Sequence, residues 1–180
     1  MDEYASVFLV LDIKWMCLYS GPCPDASHPG TLYLHKGTFA RGKGNFHAVG
    51  YLDPAEMPDD DYPYFLTTGR MFAHFHTGTM TRISPHLDTE QTTGYVSIHP
   101  QDADDMQVLE GDMLLIASRR GEMEAPARIT ASVPRGVLFL PIHFGENPPN
   151  VLTDAEAFDP MAKIPEFKVS AVKIRKAIAA

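Results

Sequence analysis

The stretch GYVSIHPQDADDMQVLEGDMLLIASRRGEMEAPARITASVPRGVLFL, residues 94–140, has the clearest secondary-structure pattern in the chain. Apolar and polar residues alternate strictly in Glu122–Thr130, which predicts a half-buried strand. Pro126 lies on its polar side and predicts an edge strand or a bulge. A short helix is expected to begin at Pro100, with acidic residues in its first turn. Three further short apolar segments are predicted to be strands: Gly94–Ile98, Asp112–Ser118 and Val137–Leu140.

Two more strands are predicted outside this stretch, at Tyr64–Thr68 and Phe167–Lys176, and one helical turn at Asp154–Phe158. Short strands with one or two short helices are typical of a closed β-barrel. We expect this barrel domain to span residues 63–180. An extended arm rich in Gly, Pro and charged residues is expected over 28–62, after an extension, 1–27, that has no clear pattern. No internal repeat is visible.

Composition excludes several classes of protein. The 180 residues carry a formal net charge of −8, which argues against a nucleic-acid-binding protein because such proteins need clustered Lys and Arg. No apolar run approaches the length of a membrane span. Two cysteines, Cys17 and Cys23, are too few for a disulfide scaffold, so a reduced, cytoplasmic location is expected.

Residues Pro63–Leu87 contain no acidic residue, although the chain has 23 aspartates and glutamates. The same window contains two arginines, three histidines and five threonines. Gly69 and Gly78 would let the backbone approach a ligand closely. Threonine hydroxyls and backbone N–H groups supply donors, and Arg70 adds a planar fork that suits phosphate or carboxylate. The window therefore predicts an anion-binding loop.

Other interpretations of this window remain open. His74 and His76 form a His-x-His pair that is compatible with a metal site, but no carboxylate or cysteine lies nearby in sequence. Ordinary loop histidines give the same pattern. The chain has neither a P-loop nor a G-x-G-x-x-G motif, and it lacks the G-x-S-x-G nucleophile motif. No catalytic residue and no metal ligand is predicted.

The sequence YPYFLTTGRMFAHFHTGTMTRISPHL, residues 62–87, resembles the cofactor-binding signature in the C-terminal domain of molybdopterin oxidoreductases. The resemblance continues in order through VSIHPQDADDMQ and as far as KVSAVKI, residues 96–174. It includes the arm sequence HPGTLYLHKGTFARGKGNF, residues 28–46. Within this superfamily the chain is most similar to the catalytic (alpha) subunit of formate dehydrogenases.

This resemblance implies a mainly β fold: a double-psi β-barrel with a few short helices, plus an extended N-terminal arm. It implies binding of bis-(molybdopterin guanine dinucleotide), bis-MGD, with molybdenum or tungsten held by other domains. Carried over position by position, the cofactor-binding residues would be Thr68, Gly69, Arg70, Met71, His74, His76, Thr77, Gly78, Met80, Thr81, His143, Phe144, Asn150, Phe167 and Lys168.

The catalytic subunits of this family are several times longer than 180 residues, and their iron–sulfur cluster needs four cysteines. We therefore expect no iron–sulfur cluster in this chain, no formate oxidation by the chain alone, and the remaining domains or subunits of a molybdopterin oxidoreductase as partners. Four hypotheses follow: the cofactor-binding portion of a formate dehydrogenase, the same domain of a nitrate reductase, a stand-alone cofactor-binding module, or a truncated product that still folds.

Overall fold

The computed structural model describes residues 43–44, 46–48, 50–159 and 163–177. The chain divides into two units, Met1–Tyr51 and Leu52–Ala180, and every element described below belongs to the second. The predicted extension 1–27 and most of the predicted arm 28–62 lie outside the described residues.

Six strands and few helical residues among the described positions confirm the predicted mainly β fold. The strands are β1 Tyr64–Gly69, β2 Val96–Ile98, β3 Met113–Ala117, β4 Glu122–Ile129, β5 Val137–Pro141 and β6 Ser170–Lys176. In the part of the chain that the structure describes, the helical segments are α1 Pro85–Glu90, α2 Pro100–Asp105 and two 3₁₀ turns, Thr81–Ile83 and Pro149–Val151. Helix α1 was not predicted, although Ser84 at the N-cap and proline at the first helical position are a helix-start signal. The helical turn predicted at residues 154–158 is wrong, because Pro149–Val151 forms the turn instead.

The six strands close into a barrel in the order β1-β5-β2-β4-β3-β6. Two neighbouring pairs, β1 with β5 and β2 with β4, are parallel, and the other four pairs are antiparallel. Exchanging β1, β2 and β3 for β4, β5 and β6 leaves this pairing pattern unchanged. The fold therefore has an internal two-fold pattern that the sequence does not reveal, because pairing partners are far apart in the chain.

Strand β4 is an interior strand of the closed barrel, so the prediction of an edge strand from Pro126 is wrong. The Ala127 N–H donates to the Asp112 carbonyl, which directs this side of β4 toward β3. Since N–H groups alternate along a strand, the Pro126 nitrogen faces the β2 side. Strand β2 begins opposite Ala127, so no ladder hydrogen bond is lost at the proline.

The barrel interior is filled by one face of each strand. Met123, Ala125 and Ala127 of β4 are buried, as their alternation with polar residues predicts. Aliphatic side chains from the other strands complete the core, among them Leu66, Val96, Ile98, Leu114, Ile116, Leu138, Leu140, Val172 and Ile174.

The strand directions bring two long connections to one end of the barrel. The pairing directions place the C-terminal ends of β1, β3 and β5 beside the N-terminal ends of β2, β4 and β6. This end, called here the loop end, carries the connections 70–95, 118–121 and 142–169. Every predicted site residue lies either in these connections or at the end of β1.

Glu56 attaches the segment before β1 to the loop end. Its carboxylate accepts hydrogen bonds from Arg119 at 2.6 Å, from Arg120 at 2.5 Å and from the Ala171 N–H at 2.9 Å. Burial raises the pKa of Glu56, but the hydrogen bonds from Arg120, Ala171 and Arg119 outweigh it and hold the pKa below its ordinary value. The 119–121 turn is therefore an anchoring point as well as a hairpin.

Replacing Asp102 by alanine is expected to lower the free energy of unfolding by about 1–3 kcal/mol, because it removes two hydrogen bonds to a buried carboxylate and leaves the half-buried Gly136 N–H without this partner. Asp102 is buried and accepts hydrogen bonds from Arg135 Nε at 3.0 Å and from the Gly136 N–H at 2.7 Å. Urea unfolding measures the change, and Asp104→Ala, an exposed position on the same helix, is the control. Equal stability of the two variants would contradict the assignment.

Candidate functional site

The loop that follows β1 contains a tight turn at Phe75–Gly78. The Gly78 N–H donates to the Phe75 carbonyl at 3.0 Å, which closes the turn. His76 and Gly78 both have positive φ angles, 47° and 75°. A turn of this kind directs successive backbone N–H groups to one side, which makes a concavity that suits an anion.

The turn presents donors that the protein does not use. Within the described part of the chain, the backbone N–H groups of His76 and Thr77 have no acceptor. Both residues are exposed, and the Thr77 hydroxyl lies 3.2 Å from that of Thr79. Arg70 Nη2 lies 3.5 Å from His76 Nδ1, so the guanidinium is beside the turn.

Arg70 and Arg82 differ in their surroundings. Arg82 pairs with Asp88 at 3.3 Å and Glu146 at 2.8 Å, so its charge is neutralised within the protein. The hydrogen bond that Arg82 donates to Glu146 raises the pKa of Arg82. Arg70 has no carboxylate partner among the described residues and contacts only His76 and the Phe75 ring. Of the two arginines in the acid-free window, only Arg70 has a charge left for a ligand.

The buried His143 side chain joins the start of the loop after β1 to the turn Phe75–Gly78. Its Nε2 accepts a hydrogen bond from the Met71 N–H at 2.7 Å, and its Nδ1 is hydrogen-bonded to the His76 carbonyl. The imidazole is fully buried. Gly78 lies against the same residue, since a Cβ there would be 2.8 Å from the His143 carbonyl oxygen.

His74 has a structural environment, not that of a metal ligand. Its Nε2 lies 2.7 Å from the Gln91 carbonyl and its Nδ1 lies 3.1 Å from Thr81 Oγ1. Because Nε2 faces a carbonyl oxygen, it donates this hydrogen bond, and Thr81 Oγ1 also accepts the Phe75 N–H at 3.2 Å. No cluster of three or more metal-ligating side chains occurs in residues 43–44, 46–48, 50–159 and 163–177.

Lys168 and Phe167 are fastened to the end of β1. The buried Thr68 hydroxyl donates to the Phe167 carbonyl at 2.5 Å, and Lys168 Nζ donates to the Thr68 carbonyl. The remote segment 163–169 is thereby held next to Gly69. Gly69 is itself packed closely, because a Cβ there would lie 2.6 Å from the Phe139 ring.

The remaining predicted residues are placed less closely. Phe144 is buried and packs edge-on against His74 and under Arg82. Met80 is exposed at the loop end. Asn150 is exposed in the second 3₁₀ turn, and no contact in the described ranges joins it to the other predicted site residues.

A cleft of about 650 Å³ lies beside the loop and contains residues that sequence reasoning missed. Arg70 and Met71 line one part of it, and Phe139 and Arg128 line another. The Arg128 guanidinium stacks over the Tyr95 ring at 4.7 Å. The outward position of Arg128 in the alternating strand β4 was the available signal.

Comparison with known proteins gives consistent results. Residues 64–171 match the family described as "Molydopterin dinucleotide binding domain". The F420-dependent formate dehydrogenase subunit alpha of Methanocaldococcus jannaschii is 48% identical over 157 residues, which are 86% of this chain and 23% of that protein. A nitrate reductase of Symbiobacterium thermophilum is 40% identical over 140 residues, or 76% of this chain and 18% of that protein.

A solved structure shares the fold. Acetylene hydratase from Pelobacter acetylenicus superposes with a TM-score of 0.61 at 16% identity, over 71% of this chain and 21% of that one. The chain thus spans about a quarter or less of the length of the proteins it matches. None of the described helices is both long enough and apolar enough to cross a lipid bilayer.

Proposed function

This chain belongs to the molydopterin dinucleotide binding domain family, and from that membership we propose that it forms the cofactor-binding portion of a formate dehydrogenase. Its ligand would be molybdopterin guanine dinucleotide, bound at the loop end. One observation supports the proposal most strongly: Arg70, whose charge has no carboxylate partner among the described residues, lies beside the turn Phe75–Gly78, which has free N–H donors.

The donor set fits a dinucleotide. Phosphate oxygens accept hydrogen bonds, and the turn offers the N–H groups of His76 and Thr77 with the Thr77 hydroxyl. Arg70 can make a charge-assisted, bidentate contact with such an anion. The acidic residues of the chain are absent from 63–87, so no carboxylate of that segment opposes the charge.

Particular residues would hold the cofactor. Arg70, His76 and Thr77 would contact phosphate, and Lys168 would add a second positive charge near Gly69. Four other residues would support the loop from inside the protein, because their polar atoms or rings already make contacts there: Thr68, His74, Thr81 and Phe144. When bound, the cofactor supplies the redox chemistry of its molybdenum or tungsten, which we expect other domains to ligate.

The partner that we propose is the rest of a longer oxidoreductase. The loop end carries large exposed apolar side chains within residues 72–87, namely Phe72, Phe75, Met80, Ile83 and Leu87. Apolar surface of this kind marks an interaction site. The chain covers 23% of the formate dehydrogenase relative, so a much larger portion remains to cover this surface. A cytoplasmic location is proposed with that assembly.

Binding of cofactor released from a molybdoenzyme to the purified 180-residue chain tests the ligand. Calorimetric titration should give saturable binding that weakens as salt is added, because phosphate contacts are screened. Absence of binding would refute a stand-alone site. The reading frame that adjoins the gene tests the partner: four clustered cysteines and a metal-ligating cysteine or selenocysteine there would support a split enzyme.

The isolated chain is expected not to reduce a viologen dye with formate. The chain covers 23% of the formate dehydrogenase relative, and in the family that it resembles the metal-ligating cysteine or selenocysteine belongs to other domains. The assay should show no rate above a boiled-protein control after the chain is loaded with released cofactor. A formate-dependent rate would contradict the division of labour proposed here.

The same domain of a nitrate reductase is the second candidate, because a nitrate reductase relative is 40% identical over 76% of the chain. The 48% identity to the formate dehydrogenase relative favours the first. Reassembly with the upstream portion of each enzyme, followed by assays with formate and nitrate, separates the two.

A further inference from the structure

His143 lies between Met71, at the start of the loop after β1, and His76, in the turn Phe75–Gly78. Its protonation state follows from these two hydrogen-bond partners. A backbone N–H always donates, so Nε2, which faces the Met71 N–H at 2.7 Å, must be the unprotonated nitrogen. Nδ1 then carries the proton and donates it to the His76 carbonyl. The buried ring is therefore neutral, and both of its nitrogens are engaged within the protein.

The two residues with positive φ in the turn both depend on His143. The carbonyl of His76 receives its hydrogen bond, and Gly78 packs against its backbone oxygen. The ring is also surrounded by other aromatic groups, 5.6 Å from the His74 ring and 6.3 Å from the Phe144 ring. A side chain 72 residues away in sequence thus fixes where the loop starts and where the turn lies.

We propose that His143 is a positioning residue that holds the Met71–Gly78 loop closed, so that the His76 and Thr77 donors and Arg70 face one ligand. This inference rests on the proposed function for the identity of that ligand. It assigns to His143 a role that acts through the loop, because neither ring nitrogen is available for a contact of its own.

Protonation of the His143 ring should break its hydrogen bond with the Met71 N–H. Burial lowers the pKa of His143 below its ordinary value of 6.5, and the nearby His74, Arg70 and His76 lower it as well. The hydrogen bond to the His76 carbonyl acts in the opposite direction. Because the closed loop requires the neutral ring, its stability is complete above about pH 6.5 and is lost as the pH falls through the lower pKa of the closed state.

The test compares His143→Leu, which keeps the volume without hydrogen bonds, and His143→Gln, which keeps one donor and one acceptor. Exposed His86, on α1, supplies the matched control His86→Leu. Hydrogen exchange at the Met71 amide, corrected for intrinsic rates, should be at least about tenfold faster in His143→Leu, intermediate in His143→Gln and unchanged in His86→Leu. Nitrogen NMR of the wild-type ring should show the proton on Nδ1.

Unchanged Met71 protection in a folded His143→Leu variant would overturn the proposal, and so would a proton on Nε2 in the wild type. If His143→Leu does not fold, the wild type supplies the answer: the Met71 and Gly78 amide shifts must follow the titration of His143. Amide shifts of Met71 and Gly78 that do not change as His143 titrates would also overturn the proposal.

These readouts need no ligand, so the proposed function can fail separately. If the wild type does not bind the cofactor but keeps the His143 hydrogen bonds, only the identity of the ligand is refuted. Cofactor affinity that is lower in His143→Leu and partly restored in His143→Gln would support the positioning role itself.

Discussion

Replacing Arg70 by alanine should weaken binding of molybdopterin guanine dinucleotide by about tenfold to a hundredfold, because a hydrogen bond to a charged group contributes roughly 1.5–3 kcal/mol. Stability should hardly change. The guanidinium is exposed, has no carboxylate partner in the described ranges, and contacts only the Phe75 ring and His76 at 3.5 Å. Calorimetric titration measures the affinity, and urea unfolding measures the stability.

Arg175→Ala is the matched control for this loss of charge. Arg175 is exposed on β6 toward the end of the barrel opposite the loop end, so its removal lowers the net charge equally without touching the site. Similar affinities of the two variants would show that Arg70 acts only through net charge. Lys168→Ala is a less specific test, because Lys168 also donates to the Thr68 carbonyl and its removal disturbs β1.

The Gly78→Ala variant should lose about 2–5 kcal/mol of stability. Alanine would be strained in the left-handed conformation, and its Cβ would also clash with neighbouring atoms. Gly78 has φ 75°, and a Cβ there would lie 2.8 Å from the His143 carbonyl oxygen and 2.8 Å from Arg82 Cδ. The arginine end can move, but the backbone oxygen belongs to the residue that holds the loop. Cofactor affinity should therefore fall along with stability.

Gly111→Ala separates the two causes. Gly111 has φ 83°, but a Cβ there would have no atom within 4 Å. This variant should lose only the strain energy, about 1–2 kcal/mol, and should keep its affinity for the cofactor. Both losses are read from urea unfolding curves. Equal losses in the two variants would mean that the contact with His143 carries no cost.

Local sequence patterns predicted the strands, and the resemblance to a known family predicted the domain. The alternation in Glu122–Ile129 needs only neighbouring residues to be recognised, and the strand was confirmed with its apolar face buried. The acid-free window Pro63–Leu87 predicted an anion-binding loop. The resemblance of residues 62–174 to a known family implied a molybdopterin dinucleotide-binding domain, and the family match confirms that domain. The individual cofactor contacts stay predictions.

Contacts between residues far apart in the chain decided which acidic side chains are buried and which arginine is neutralised. Asp102 belongs to an acidic run in sequence, but it is buried in the fold and accepts hydrogen bonds from Arg135 and Gly136, more than 30 residues later. Arg82 and Arg70 look alike in sequence, and only the positions of Asp88 and Glu146 show which one is neutralised.

The sequence by itself determined the six strands, the buried face of β4 and the loop rich in hydrogen-bond donors, because each follows from residues close together in the chain. Only the tertiary structure decided that β4 is interior despite Pro126, and that the connections after β1 and β5 meet at one end. It alone showed that His143 joins Met71 to His76. The physical reason is that strand pairing and buried hydrogen bonds are set by which distant groups closure of the barrel brings together.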